Sequence, residues 1–321
     1  MINWDAHFCL PQHPQADFSA VNRLHSSGVN YVSLCVGADM NPVSQVMSVI
    51  AGYRATIEAN AERYVLVNSV DQIIQAAADG RLAIGFDLEG ALPLMDQPEM
   101  AALYARLGVR QMHFAYNRNN SVSGGCHDTP QGLSALGQRV LAAVNDAGII
   151  VDCAHSGRMA SLDIMAASSK PVVFSHANPF TLVQHGRNVT DEQIHACAET
   201  GGVVCVSGLS FFVGREHPTA SDVAKHIAYV ADVAGVAHVG VGLDICISQP
   251  ELDDTPPGAF NPSYWWPESA GYSAERAPTF APASVWRELP GELRKLGMAP
   301  SEIEQVLGRN MLRVARATWG S

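Results

Sequence analysis

Short runs of apolar, β-branched residues alternate along the chain with stretches whose apolar residues recur at helical spacing. The runs that predict buried strands begin near residue 2 and at residues 29, 82, 109, 148, 171, 201 and 238. Helical periodicity fills several of the gaps, at 132–148, 190–201 and 221–235, of which the last two begin at Thr190 and Ser221 as N-caps. Strands that alternate with helices in this way predict an α/β fold of the (β/α)8 TIM-barrel type.

The same pattern allows one alternative architecture, an open doubly wound sheet. We expect a single barrel domain over residues 1–321, because no linker and no internal repeat divides the chain. Residues 246–280 are rich in Pro, Gly and aromatic residues and form a long loop insertion after the last predicted strand. In a barrel this loop is either a lid or substrate wall over the active face or a variable surface excursion.

The composition narrows the class of ligand and the compartment. The chain carries 31 acidic and 20 basic residues, a formal net charge of −11, so we expect a small-molecule partner and no nucleic acid. The first residues lack a signal pattern, and no apolar run approaches the roughly 18 residues of a membrane span. The 7 cysteines are odd in number, and several lie in apolar runs, which indicates free thiols. These features predict a cytoplasmic protein without a membrane partner.

Polar residues that can bind metals or move protons gather at the C-terminal ends of the predicted strands. They are His7, Cys9, Glu89, Tyr116, His155, His176 and Asp244. A barrel brings its strand ends to one face, so we expect these side chains to meet there. Imidazole, thiolate and carboxylate together favour zinc over magnesium or calcium. A carboxylate such as Glu89 can bridge two ions about 3.5 to 4 Å apart, which is an arrangement suited to amide hydrolysis.

Several segments resemble, in the same order, the membrane (renal) dipeptidases, which are zinc metallopeptidases of the M19 type with an amidohydrolase-type barrel. The segments are FDLEGA (86–91), VDCAHS (151–156), PVVFSHANPFTLVQHGRNVTDEQI (171–194), HVGVGLD (238–244) and LGRNMLRV (307–314). The resemblance spans nearly the whole chain, and it is most specific over residues 148–194.

The resemblance implies a role for each matching residue. The implied metal ligands are His7 for a first zinc ion, His155 and His176 for a second, and Glu89 as the bridge between them. Arg187 would pair with a carboxylate of the substrate, because its planar guanidinium fits that group in two parallel hydrogen bonds. Asp244 would handle the proton. The resemblance further implies a homodimer.

The first predicted strand departs from the family, which has His-x-Asp where this chain has His7-Phe8-Cys9. Three interpretations stay open. In the first, Cys9 binds the first zinc ion as a thiolate at about 2.3 Å. In the second, Cys9 stays a thiol, and a single zinc ion at the second position carries the activity. In the third, Cys9 is an inert core thiol and the first position holds no metal.

A second departure follows the fourth predicted strand, where the family has His in a Thr-His-Asn context and this chain has Tyr116. A phenol can donate one hydrogen bond to an oxyanion, but it does not become cationic near neutral pH. By strand alternation His113 faces away from Tyr116, so we expect that His113 does not replace it.

Together these residues predict a zinc-dependent, dipeptidase-like hydrolase that cleaves an amide bond in a small substrate with a free carboxylate. Metal-activated water is the expected nucleophile, with one or two zinc ions as cofactor. Glu89 and Asp244 are the catalytic candidates, and Tyr116 and Arg187 are the substrate-binding candidates. Cys9 and Tyr116 motivate one alternative, a binding protein that has lost turnover. Another is a hydrolase of N-acyl or lactam compounds.

Overall fold

A computed structural model describes residues 1–252, 260–273 and 275–319 of the chain. The strands are β1 (Trp4–Cys9), β2 (Tyr31–Ala38), β3 (Tyr64–Leu66), β4 (Leu82–Glu89), β5 (Val109–His113), β6 (Ile150–Asp152), β7 (Val172–Phe174), β8 (Val203–Val206), β9 (Val239–Val241) and β10 (Ile245–Cys246). The helices are α1 (Ser19–Ser26), α2 (Val43–Ala59), α3 (Val70–Ala78), α4 (Met100–Leu107), α5 (Ala135–Asp146), α6 (Arg158–Ala167), α7 (Asp191–Glu199), α8 (Ser210–Val213), α9 (Ala220–Ala234), α10 (Pro262–Trp265), α11 (Val285–Lys295), α12 (Pro300–Glu304) and α13 (Asn310–Trp319).

The strands form one parallel sheet in the order β10-β1-β2-β4-β5-β6-β7-β8-β9, with β3 paired to the first half of β4. The last predicted strand is split. Its first part, β9, pairs with β8, and its second part, β10, pairs with β1 after a break at residues 242–244. One stretch of chain therefore joins both ends of the sheet, which confirms the predicted barrel-type α/β fold and not the open doubly wound alternative.

The predicted strand runs correspond to β1, β2 and β4 to β9, and their residues are almost all buried. Parallel strands that are covered by helices have no solvent face, so they are apolar along most of their length instead of alternating. The strand β3 was not predicted, because it has only 3 residues and two of them are half-buried. None of the polar residues at the C-terminal ends of the strands belongs to β3.

The three predicted helices are present as α5, α7 and α9, and the starts of α5 and α9 differ from the predicted ones. Thr190 caps α7 in a reciprocal pair of hydrogen bonds with Gln193, as predicted. Ser221 does not cap α9, because the Thr219 side chain receives the Asp222 backbone N–H and starts the helix earlier. Within the three described ranges, no helix combines the length and the apolar character that crossing a bilayer requires.

A buried carboxylate holds the first strand against the split strand. Asp5 accepts hydrogen bonds from the Leu243 backbone N–H at 3.0 Å and from Trp286 Nε1 at 3.1 Å. Burial raises the pKa of Asp5 to about 7, although the hydrogen bond from Trp286 acts in the opposite direction. Asp5 therefore fixes β1, the strand of His7, relative to the break that carries Asp244.

Candidate metal centre

The structure brings the predicted metal and catalytic residues together at the C-terminal ends of the strands. His7 lies in β1, and Glu89 is the last residue of β4. His155 and His176 follow β6 and β7, and Asp244 lies in the break between β9 and β10. All five side chains are buried. His155 and Asp244 have positive φ angles of 65° and 59°, a strained conformation that is enriched at functional sites.

One carboxylate oxygen, Oε1 of Glu89, is the point on which three imidazoles converge. It lies 3.0 Å from His155 Nε2, 3.4 Å from His7 Nε2 and 3.7 Å from His176 Nε2. The Nε2 atoms of His155 and His176 are themselves 2.9 Å apart. The three rings therefore present nitrogen atoms to a single small volume beside a carboxylate.

Two of these imidazoles are held neutral, with their lone pairs directed at Glu89. Burial lowers the pKa of both His155 and His176 well below the usual value, and nearby cationic groups lower it further. His155 Nδ1 lies 2.7 Å from Asn117 Oδ1, an acceptor, which places the ring proton on Nδ1. His176 Nδ1 lies 2.8 Å from Ser175 Oγ. A neutral imidazole whose Nδ1 is hydrogen-bonded offers Nε2 as a ligand.

His7 has a carboxylate partner behind the site. Its Nδ1 lies 3.3 Å from Oδ1 of Asp87, a fully buried residue of β4. Burial alone would lower the pKa of His7, but the negative charges of Asp87 and Glu89 outweigh it and raise the pKa well above the usual value. Asp87 thus orients the ring so that Nε2 faces Glu89, in the way that carboxylates orient metal-bound imidazoles.

The environment of Cys9 is polar. Its Sγ lies 3.2 Å from His7 Nε2 and 4.0 Å from Glu89 Oε2. Contacts with the Cys246 and Cys35 thiols, together with burial, raise the pKa of Cys9 well above the usual value. An inert core thiol would have hydrocarbon neighbours, so the surroundings of Cys9 favour the two interpretations that keep it in the polar site.

Asp244 lies at the edge of the cluster. Its Oδ1 is 4.0 Å from His7 Nε2, and its Oδ2 accepts a hydrogen bond from Ser207 Oγ at 3.5 Å. Burial raises the pKa of Asp244 to about 6, against the opposing effect of His7. A carboxylate with a pKa in this range can take up and release a proton near neutral pH.

Strand alternation predicted that His113 faces away from Tyr116, but the structure places both side chains at the site. His113 Nε2 pairs with Asp152 Oδ2 at 2.7 Å, and its Nδ1 lies 4.0 Å from Glu89 Oε1. The alternation argument failed because β5 ends at His113, so Tyr116 lies beyond the strand and follows no pleat. Both side chains therefore reach the site, and His113 with its partner Asp152 belongs to the residues that sequence reasoning missed.

Tyr116 stacks on His155, with ring centroids 4.1 Å apart. Its hydroxyl oxygen accepts a hydrogen bond from Trp266 Nε1 at 3.2 Å, and Asn117 Nδ2 donates to the Trp265 carbonyl at 3.0 Å. Trp265 and Trp266 belong to the predicted loop insertion, whose described part thus forms a wall of the site. Residues 253–259 and 274 of that insertion lie outside the described residues.

Arg187 is a buried cation with unused hydrogen-bonding capacity. Its side chain is 3% exposed, and one Nη donates to the His176 carbonyl at 3.1 Å. Its Nε has no partner, and it forms no ion pair with a carboxylate in the part of the chain that the structure describes. A buried guanidinium without a counter-charge is costly in folding free energy, so an anionic ligand is the partner that would satisfy it.

A second group of rings lies around Arg187, and it was not among the site residues predicted from the sequence. His127 Nε2 lies 3.2 Å from the Tyr272 hydroxyl, and the His185 and Tyr272 ring centroids are 5.1 Å apart. His185 Nδ1 accepts the Arg187 backbone N–H at 3.1 Å. Burial and the charge of Arg187 lower the pKa of His127 to about 3 and that of His185 to about 4.

These depressed pKa values predict that acid destabilises the fold through His185. The unfolded chain binds a proton at His185 near pH 6.5, whereas the folded protein does so only near pH 4, so stability falls as the pH drops through that window. Because Asp39 and Asp244 have raised pKa values that act in the opposite direction, the test compares variants. Between pH 7 and 4.5 we expect His185→Asn to lose less stability than the wild type, by on the order of 1 kcal/mol. Equal losses in thermal unfolding of the two proteins would contradict this prediction.

The donor atoms fit a divalent metal ion. The groups His7-His113-His176, His7-Cys9-Glu89 and Glu89-His113-His155 each present ligand atoms within 4.8 Å of one another. The buried Nδ1 of His113 has no hydrogen-bond partner among the described residues, although its Nε2 is anchored by Asp152. A cluster of imidazole, thiolate and carboxylate that contains such an unpartnered ring nitrogen is the ligand chemistry of zinc or a similar transition metal.

Comparisons with known proteins agree on one family. A family model described as membrane dipeptidase (peptidase family M19) matches residues 12–255. The strand β1, with His7 and Cys9, precedes the matched range. The dipeptidase verJ of Clonostachys rogersoniana is 26% identical over 323 residues, which cover 98% of this chain and 71% of that protein. An uncharacterized dipeptidase, C965.12, of Schizosaccharomyces pombe is 33% identical over 184 residues, or 54% of this chain and 44% of its own length.

Solved structures share the whole architecture. An amidohydrolase from Pseudomonas aeruginosa superposes with a TM-score of 0.87 at 25% identity, over 100% of this chain and 97% of that one. A metallo peptidase from Rhodobacter sphaeroides, solved with a phosphinate mimic of the dipeptide L-Ala-D-Ala, superposes with a TM-score of 0.79 at 18% identity, over 99% of each chain.

Proposed function

The chain belongs to the membrane dipeptidase family, and from this premise we propose that it is a zinc-dependent hydrolase of dipeptides or similar small amides with a free carboxylate. Metal-dependent hydrolysis of the dipeptidase type is what family membership indicates. One observation carries the narrower proposal. Arg187 is a buried guanidinium that forms no ion pair with a carboxylate among the described residues. It hydrogen-bonds the backbone of His176, whose ring belongs to the cluster around Glu89.

In this proposal the imidazoles and carboxylates divide into ligands and supports. Glu89, His155 and His176 would hold zinc, and His7 with Cys9 would extend the site toward a second ion. Asp87 keeps His7 in place, and Asn117 and Ser175 hold the other two rings. When bound, the metal supplies Lewis acidity, which polarises the scissile carbonyl and acidifies water.

The remaining polar groups suit the steps that hydrolysis of an amide requires. Arg187 binds the carboxylate of the substrate and so fixes the position of the scissile bond. Asp244, whose pKa is about 6, takes the proton of the attacking water and returns it to the leaving amine. The Tyr116 hydroxyl donates a hydrogen bond to the substrate oxygen that becomes negative as the tetrahedral intermediate forms.

Removal of the Tyr116 hydroxyl tests its proposed role in catalysis. Since Trp266 already donates to this oxygen, the phenolic proton is free to point at the substrate. We expect Tyr116→Phe to lower kcat between about 10- and 10³-fold with little change in KM, as loss of one oxyanion donor does. Trp266→Phe is the matched control, which keeps the phenol and should change kcat much less. Wild-type kcat in Tyr116→Phe would exclude the role.

The substrate class is tested with zinc-loaded wild-type protein and a matched panel. The panel contains L-Ala-L-Ala, L-Ala-D-Ala, the amides of both dipeptides, N-acetyl-alanine and a simple lactam, with release of product followed by chromatography. We expect the free dipeptides to be hydrolysed and amidation of their carboxylate to lower kcat/KM. Turnover of only the lactam, or equal turnover of the dipeptides and their amides, would contradict the proposed free carboxylate, and turnover of only N-acetyl-alanine would indicate an N-acyl amino acid in place of a dipeptide. Compounds that raise the melting temperature without being consumed would instead indicate a binding protein.

A further inference from the structure

A row of thiols crosses three neighbouring strands at the metal centre. Cys9 is the register partner of Cys246 on the parallel strands β1 and β10. Phe8 pairs with Leu34 on β2, so Cys9 and Cys35 each lie one residue beyond a registered pair. Residues side by side on parallel strands project to the same face of a sheet. The topology therefore places the three thiols next to one another.

Each of these thiols contacts a polar atom of the site. Cys35 Sγ lies 3.5 Å from Glu89 Oε2, the oxygen that is 4.0 Å from Cys9 Sγ. Cys246 Sγ lies 3.9 Å from Asp244 Oδ1. The strand register places Cys9 in the middle of the row, between Cys35 and Cys246. A set of cysteines that served only to pack the core would face hydrocarbon.

We propose that Cys35 and Cys246 join Cys9 as ligands of a sulfur-rich metal position, which lies next to the imidazole and carboxylate position at His155 and His176. The inference rests on the metal centre of the proposed function, but it does not depend on dipeptide hydrolysis. His7 supplies a nitrogen donor to this position, since its Nε2 is 3.2 Å from Cys9 Sγ. Metal binding displaces the thiol protons to solvent, so thiolates become the donors.

The two positions differ in the metals that they favour. Thiolates select soft ions such as Zn²⁺ and Cd²⁺ and disfavour Mg²⁺ and Mn²⁺, which prefer oxygen ligands. Cys9 stands where the family has the carboxylate of its second first-strand ligand, and the thiols of Cys35 and Cys246 contact Glu89 and Asp244 of the same site. We therefore expect the position at the row of thiols to bind Mg²⁺ and Mn²⁺ more weakly than Zn²⁺ and Cd²⁺.

Cd²⁺ binding to the full-length, metal-depleted protein under reducing conditions tests this proposal directly. Thiolate ligands give a charge-transfer absorption in the near ultraviolet that imidazole and carboxylate ligands do not give. We expect this absorption in the wild type, a weaker one in Cys35→Ser and in Cys246→Ser, and almost none in the triple variant with Cys9→Ser. Each single substitution should also weaken Cd²⁺ binding roughly 10-fold or more.

Two control variants distinguish the loss of thiolate ligands from a general effect of substitution on folding or on metal binding. Cys197→Ser alters a buried thiol that donates to the Val172 carbonyl at 3.2 Å, and it should leave the absorption unchanged. His155→Ala should reduce the metal stoichiometry but keep the absorption. The proposal is overturned if Cys35→Ser and Cys246→Ser retain the wild-type absorption and affinity, or if the wild type binds Cd²⁺ without the absorption. Either result leaves the proposed hydrolysis intact.

A second measurement needs no substitution and so does not depend on folding of a variant. Cys246 is exposed and open to alkylation, unlike the buried Cys35. We expect Cd²⁺ or Zn²⁺ to slow alkylation of Cys246 by iodoacetamide, as mapped by mass spectrometry, while Mg²⁺ has no effect. An alkylation rate at Cys246 that is unaffected by saturating Cd²⁺ would contradict its role as a ligand.

Discussion

Glu89→Gln is expected to lower kcat/KM for dipeptide hydrolysis by more than about 100-fold and to reduce the bound metal in the same samples. Oε1 of Glu89 lies within 3.7 Å of the Nε2 atoms of three histidines, so this substitution alters the carboxylate that all three imidazoles face. Glutamine keeps the shape but removes the negative charge, and its amide nitrogen cannot bind a cation. The expected loss is measured by steady-state kinetics and by elemental analysis of purified protein.

The matched control for this variant is Glu192→Gln. Glu192 is exposed and pairs with the exposed Arg158, and neither side chain belongs to the cluster around Glu89, so the same chemical change should leave activity and metal content unchanged. A Glu89→Gln protein that retains its metal and more than a tenth of the wild-type kcat/KM would show that this carboxylate is not the central ligand.

Arg187→Met is expected to lower kcat/KM for free dipeptides roughly 100-fold or more, because the carboxylate of the substrate loses its buried partner. The rate with the corresponding dipeptide amide, which has no carboxylate, should change little. We therefore expect the ratio of kcat/KM for the free dipeptide to kcat/KM for its amide to fall in the variant. Since the buried guanidinium forms no ion pair among the described residues and its Nε has no hydrogen-bond partner there, we expect the melting temperature of Arg187→Met to equal or exceed that of the wild type.

Arg187→Lys provides the second comparison. Lysine keeps the positive charge but cannot form the planar pair of hydrogen bonds, so it should recover only part of the preference for a free carboxylate. If Arg187→Met keeps the wild-type ratio between dipeptide and amide, the guanidinium does not recognise the carboxylate. In that case the substrate assignment, and not the metal centre, is wrong.

Most of the barrel could be predicted from the sequence because its strands are buried on both faces. Such strands are continuous apolar runs, and these are visible without knowledge of their partners. The short strand β3 and the break at residues 242–244 were missed, since a strand of 3 residues carries almost no pattern. The break is held by a contact between Leu243 and Asp5, which are 238 residues apart in the sequence.

Most of the site residues that could be predicted from the sequence lie at or just after the end of an apolar strand. Glu89, His155 and His176 follow apolar runs directly, so the barrel topology alone brings them together. Asp87 lies inside β4 and Asp152 is the last residue of β6. Both are buried polar residues of apolar runs, and only the fold shows which histidine each one faces. The row of thiols depends on strand register, which no local pattern encodes. The cytoplasmic location, the homodimer and the extent of the domain over 1–321 stay predictions.

The most direct test of the central claim follows hydrolysis of L-Ala-L-Ala and L-Ala-D-Ala by the wild-type protein before chelation, after chelation and after zinc is restored. The metal content is measured in each of the three samples. We expect at least one dipeptide to be cleaved, the activity to disappear with the metal, and the activity to return in proportion to bound zinc. Activity that persists after the metal has been removed, or a zinc-loaded protein that cleaves neither dipeptide, would contradict a metal-dependent dipeptidase.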